Sequence, residues 1–572
     1  MKLSSLIFFL TIISFVSTGE PKITTPVNSI NRPIIHLTPP YGWMNDPNGL
    51  WYDQVDNIWH VYYQYNPNAT HWALPLYWGH ATSTDALNWE YTGVAVAPYD
   101  KKSGAYSGSC VVDSENTSGF FSALDSDTLN PNKRVIAIWT FNHHESWLES
   151  QYISYSIDGG LNFKDYRMNP VVSMNSKQFR DPQVIRYEKG DNKWWVMSVA
   201  KSHQYRIQFY QSYNLKNWKR TSYFELYGLL GYQYECPNLA KIKYEGEQET
   251  WIDKAKEDDG YLWVLFISIN PGSLQGGSST EYFIGTFDGK TFTPIKNYAA
   301  PIDYGKDFYA LQVFFNSPKD GEGNNQVHAI AWTSNWQYCA TVPTDNWRSS
   351  MSLVRKLELT DFESAPGTKI PFIKSTPVID PDKIRYGSSG RFNSESKGIK
   401  FDVFHPKHTI DISDSISGAI DFNLTWTVNN GQWTKNNPAN FYLDFRGYAI
   451  PDEYLRLGFQ AEASAFFIDR GNTNVEWVHT NRFFTDKLSV NVQPNKDSSY
   501  NVRGIIDRNI IELYFGDGFQ VLTNTFFMTG GNFIGSIDIS IDSIAFDYTS
   551  HKYMKPFTIE LEAKQILDAN NS

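Results

Sequence analysis

The chain has 572 residues, too many for one hydrophobic core, so two or more domains are expected. A formal charge of −11 argues against a nucleic-acid or anionic-membrane partner, and three cysteines rule out a disulfide scaffold. Aromatic residues make up 16% of the chain, with 19 Trp and 35 Tyr, a composition that suits strands and surfaces that stack on sugar rings.

Met1 to Gly19 reads as a secretory signal peptide, with Lys2 as its positive end and Leu6 to Val16 as its apolar run. A membrane span would need about twenty apolar residues, more than this run supplies. From residue 20 to 365 strand signals dominate. Three carboxylates there each stand just ahead of a proline: Asn45-Asp46-Pro47-Asn48-Gly49, Arg180-Asp181-Pro182 and Glu235-Cys236-Pro237. Proline fixes φ and lacks a donor, so each acid is expected at a strand entrance, aimed by a stiff backbone.

Four Asx-type turns, each with an aromatic pinning the returning strand, begin at Asp85, Asp158, Asn214 and Asp288. Interleaved with the acid–proline segments, they favour an all-β propeller over a sandwich or barrel. Prolines 371, 377 and 381 mark residues 366–390 as a linker. Short alternating strands over 391–572 suggest a β-sandwich. Sequons at Asn68, Asn116, Asn423 and Asn570 fit a secreted glycoprotein. No Cys/His spacing matches a metal site, and no cofactor is implied. His143-His144 reads as an exposed loop pair and Cys236 as a small buried filler.

Clustered carboxylates raise one another's pKa, an arrangement tolerated where acid–base chemistry needs it. Cleaving a glycosidic bond requires one ionised carboxylate to meet the anomeric carbon and another that keeps a proton for the leaving oxygen. Asp46, in a polar turn, suits the ionised role, and Glu235, between Tyr234 and Cys236-Pro237, suits the protonated one. Asp181 is expected to stay ionised beside Arg180.

These segments resemble glycoside hydrolase family 32, the invertase/inulinase family, and most closely its secreted yeast members. The resemblance runs from Asn31-Arg32-Pro33 to about Thr360 and continues more loosely beyond. It rests on Trp43 to Gly49, Arg180 to Pro182, Tyr234 to Pro237, Trp78-Gly79-His80-Ala81 and Gly305 to Ala310. It implies a five-bladed propeller carrying a β-sandwich. It also implies Asp46 as nucleophile, Glu235 as acid/base and Asp181 as a transition-state stabiliser. Trp43 and Asn45 would bind the substrate beside the nucleophile, Asn45 as part of the fructosyl pocket. Gln64, Trp72, Tyr106, Ser107, Arg180 and Trp336 would line the fructosyl pocket. Tyr106 stands where the family usually has Phe, and Ala73 where close relatives carry Gly, which puts acceptor preference in question. The implied substrate is sucrose, with raffinose or short fructans as alternatives, and a homo-oligomer stays open. Two rival readings are fructosyl transfer or inulinase activity at the same site, and a carbohydrate-binding propeller without catalysis. The tryptophans 426, 433 and 477 either fill the sandwich core or form a packing surface.

Overall fold

The structure, a computed structural model, describes residues 31–121, 129–296, 298–365, 367–397, 399, 401–429, 439–542, 546–548 and 550–567. The segment read as a signal peptide, the Asn570 sequon and Trp433 lie outside the described residues. The all-β reading holds. Residues up to Pro377 form five antiparallel sheets of four or five strands. Their first strands are Gly42–Asp53, Gly104–Val112, Arg180–Lys189, Tyr234–Lys243 and Tyr309–Val313. Each packs beside the first strand of the next sheet, and the last packs beside the first. Trp347–Arg348 returns to pair in parallel with Gly42–Asp53, which staples the end of this region to its beginning. The ring forms because middle strands such as Tyr261–Ile269 are apolar on both faces and are buried on both.

The Asx turns stand where the sequence places them. Asp85 Oδ1 accepts from the backbone N–H of Leu87 and Asn88, and Asp288 Oδ1 from those of Lys290 and Thr291. Asp158 and Asn214 make equivalent bonds.

Asp181 and Glu235 stand at strand entrances as expected, each the second residue of its strand, whereas Asp46 lies inside Gly42–Asp53. All three segments also carry a bulge, which the sequence did not announce. The ladder of Gly42–Asp53 skips Asn45 and Asp46, that of Arg180–Lys189 skips Asp181 and Pro182, and that of Tyr234–Lys243 skips Cys236 and Pro237. The other two first strands break at the same level, at Ser107 and at Ala310-Leu311. A bulge frees a residue from pairing and re-aims its side chain, and there proline's missing N–H goes unneeded. Asp181, Cys236 and Ala310 have φ of 64, 47 and 56°, the left-handed region that residues other than glycine seldom adopt.

The proline-punctuated stretch is also not a free linker. Thr368–Pro377 pairs along Arg355–Ala365 as the outer strand of the fifth sheet. An edge strand tolerates proline because one side of it has no ladder to feed.

Beyond it, two six-stranded antiparallel sheets enclose one apolar cluster. Trp426 belongs to that cluster and is 1% exposed, so it is a core residue. Trp477 is partly buried against the first region, donating from its indole to Thr341 O at 2.9 Å.

The two halves meet through buried charge. Arg355 pairs with Asp303 at 2.9 Å and with Glu512 at 2.7 Å, and Arg470 pairs with Asp307 at 2.9 Å. His36 sits between Asp507 and Glu512, at 2.8 and 3.2 Å. Strand Gln520–Thr525 lies at the edge of its sheet, but residues 303–307 cover it. Tyr304 N–H donates to Val521 O and Asp307 N–H to Thr523 O. Gly305 allows this approach, because a Cβ there would lie 2.1 Å from Thr523 O.

Candidate active site

Residues at or just ahead of the five bulges, Asn45, Asp46 and Ser107 among them, line one cavity of about 480 Å³, together with others including Gln64, Trp72 and Tyr106. Arg180, Asp181, Glu235, Tyr309 and Trp336 complete its charged and aromatic wall. Ten of the eleven catalytic and pocket residues expected from sequence therefore share this wall. The exception is Trp43, which is fully buried behind it. Its indole donates to Asn45 Oδ1 at 2.7 Å and its ring packs on Trp336, so it orients wall residues and cannot touch a sugar.

Asp46 Oδ2 accepts from Ser107 Oγ at 2.8 Å, whereas its Oδ1 has no hydrogen-bond partner among the described residues. One carboxylate oxygen is thus held, and the other is a buried acceptor without a partner among the described residues. Burial raises the Asp46 pKa above the usual carboxylate range, and the charge of Glu235 adds to this. Bonds from Ser107, Asn45 and Cys236 work against it.

Glu235 is gripped on both oxygens. Arg180 donates to Oε1 from Nη2 at 2.8 Å and from Nε at 3.1 Å, and the Tyr309 hydroxyl donates to Oε2. The apolar surroundings inferred from its sequence neighbours are therefore not what its carboxyl meets. Side chains at successive strand positions point apart, so chain neighbours predict side-chain contacts poorly here.

The same argument corrects the expectation for Asp181. Arg180 turns to Glu235 and to Glu149, the latter at 3.3 Å, and makes no bond to its chain neighbour. Burial lifts Asp181 to about 8. Arg180 opposes the rise, and Glu235 and Asp46 reinforce it. The Cys236 backbone N–H donates to Asp181 Oδ2 at 3.0 Å, and the Cys236 thiol lies 3.5 Å from Asp46 and 3.7 Å from Asp181. Together the buried acids keep a proton at a pH where isolated carboxyls have lost theirs.

Two contributors escaped the sequence reading. Glu149 follows a loop, with no acid–proline signal to mark it. Tyr309 lies inside Gly305 to Ala310, a segment visible only as part of the resemblance. Of the glycosylation candidates, Asn68 and Asn423 are exposed. Asn116 uses its amide internally, donating to Phe121 O at 2.7 Å. Among the described residues no group of three or more His, Cys, Asp or Glu could hold a metal ion.

A buried carboxylate with one free oxygen, facing a second carboxyl held by a guanidinium and a phenol, equips the cavity to cleave glycosidic bonds. Residues 36–366 match the glycosyl hydrolases family 32 N-terminal domain and residues 391–545 its C-terminal domain, and the chain belongs to that family. Invertase 2 of Saccharomyces cerevisiae is 48% identical over 517 residues, covering 89% of this chain and 92% of that protein. The extracellular exo-inulinase of Meyerozyma guilliermondii is 40% identical over 519 residues, covering 90% and 93%. The β-fructofuranosidase from Schwanniomyces occidentalis complexed with fructosyl-erythritol superposes with a TM-score of 0.81 at 39% identity. That match covers 94% of this chain and 98% of the other.

Proposed function

We propose that the chain is a secreted β-fructofuranosidase that releases the terminal fructosyl unit of sucrose with retention of configuration. The observation that carries this is the pairing of Asp46, with its free Oδ1, and Glu235, held by Arg180 and Tyr309. Asp46 attacks the anomeric carbon while Glu235 gives its proton to the departing glucosyl oxygen. Glu235 then takes a proton from the water that hydrolyses the fructosyl–enzyme ester. Asp181, oriented by the Cys236 N–H, binds fructose hydroxyls beside Asn45, Gln64 and Trp72. In this reading the five sheets are the five blades of a propeller that runs on to Pro377, past the boundary at 365 expected from sequence. The pair of six-stranded sheets is a sandwich over 391–572, and Met1 to Gly19 is the export signal.

Incubation with concentrated sucrose tests the assignment. Equal glucose and fructose mean hydrolysis, and a fructose deficit with new trisaccharide means transfer. Fructose released first is expected to be the β anomer. Initial release of α-fructose, followed by NMR before mutarotation, would refute retention.

The pH profile of kcat/KM is expected to be a bell. Activity rises as Asp46 ionises, and burial moves that limb above the usual carboxylate range. It falls as the acid cluster gives up its last proton, which burial retains at Asp181 to about pH 8. A rate still climbing above pH 9 would contradict this sharing of protons.

A further inference from the structure

The strands Val135–Asn142 and Glu149–Ser156 of the second sheet are joined by a short loop that brings Trp147 to the cavity wall. The Trp147 backbone lies at φ 59°, a left-handed conformation rare for a bulky residue. Two bonds hold it there: Trp147 N–H to His143 O at 2.7 Å, and His143 N–H to Leu148 O at 3.1 Å. Glu149 N–H donates to Ser176 O at 2.9 Å, tying the loop to the segment that carries Lys177. The result is a tryptophan 43% exposed, with no hydrogen bond to its indole N–H and no ring packed on it among the described residues. An indole left open by a strained, doubly bonded backbone is poorly explained by packing, because burying it would be more stable. Beside it Asn142, 1% exposed, lines the cavity with Oδ1 unpaired, and Lys177 lines it with no ion pair among the described residues.

We propose that Trp147 is a stacking platform for the sugar on the leaving-group side of the cleaved bond, with Asn142 and Lys177 hydrogen-bonding its hydroxyls. The ligand class is a hexopyranose, whose C–H-rich face covers an indole while its equatorial hydroxyls reach uncharged amides and an ammonium. This inference rests on the fructoside-cleaving reading and concerns the half of the cavity that the fructosyl pocket does not use.

Sucrose and methyl β-D-fructofuranoside share the fructosyl unit, and only sucrose brings a pyranose to the platform. In Trp147→Ala the ratio of kcat/KM on sucrose to that on the methyl glycoside is expected to fall about tenfold, carried mainly by KM. Trp147→Phe, which keeps an aromatic face, should restore most of the ratio. An unchanged ratio, or equal losses on both substrates, would overturn the proposal. Saturation-transfer NMR with methyl α-D-glucopyranoside reads the contact without turnover. Its signal is expected with the wild type and lost in Trp147→Ala, and a signal that survives also overturns the proposal. Were the wild type to cleave neither fructoside, the fructosidase reading would fail and this NMR experiment would still decide on the platform.

Discussion

Asp46→Asn is expected to lower turnover of sucrose by at least about 10⁴-fold and Glu235→Gln by about 10²–10⁴-fold. Both changes are nearly isosteric. At position 46 the amide still meets the Ser107 hydroxyl, but its free oxygen is no longer a nucleophile. At position 235 the amide still accepts from Arg180 but has no proton to give, which adds roughly 3–5 kcal/mol to the barrier. The two defects separate by leaving group. An aryl fructoside whose phenolate departs without protonation should recover much of the Glu235→Gln rate and none of the Asp46→Asn rate. Thermal midpoints within a few degrees of wild type would show that the fold is intact. Either variant retaining more than about a tenth of wild-type turnover removes its residue from the mechanism.

The all-β class, the Asx turns and the three acids were legible because each depends on a local rule: apolar patterning, side-chain capping and proline's missing donor. What could not be read was register. That Asp46 and Asp181 lie on bulges, and Glu235 just ahead of one, depends on the register of the partner strands. So does the turn of Arg180 away from Asp181 towards Glu235 and Glu149. The same holds for Thr368–Pro377, whose prolines read as a linker until an edge position gives them a strand to join. Trp426 and Trp477 were ambiguous for a related reason. Alternation marks which residues share a face, but only assembly decides what covers that face.

The second large effect is expected between the halves of the molecule. Arg355→Met leaves Asp303 buried without its cation and Glu512 with His36 alone. Breaking a buried pair in this way costs about 3–5 kcal/mol. The sandwich should then undock at a lower temperature than wild type, visible as an earlier or separate calorimetric transition. A melting profile indistinguishable from wild type would show that the network contributes nothing.

The pH dependence of this docking has a definite sign. Burial pushes His36 down, but bonds to Asp507 and Glu512 override it and lift it from 6.5 to about 9. Its contribution is therefore full below pH 6.5 and is lost as pH rises towards 9. For Glu512 burial pushes upward, and Arg355 and His36 override it, taking the group from 4.5 to about 2. Its contribution is full above pH 4.5 and is lost as pH falls towards 2. The difference in midpoint between wild type and His36→Gln should be widest between pH 4.5 and 6.5 and fade by about pH 9. A difference that stays flat across that range would count against His36 as a charged link.

The cover that residues 303–307 lay over strand Gln520–Thr525 has a consequence for biosynthesis. Two residues after that cover comes Tyr309, whose hydroxyl donates to Glu235. The strand that anchors the cover, Gln520–Thr525, is made well after the cover itself. At about 5–20 residues per second, the ribosome needs on the order of ten to forty seconds to get from Tyr309 to Thr525. Throughout that interval Asp46, Asp181 and Glu235 already exist and Tyr309 has its ladder partner Trp332, but the segment just ahead of Tyr309 lacks the strand it covers. The contact that closes over residues 303–307 is thus the last one this part of the fold receives.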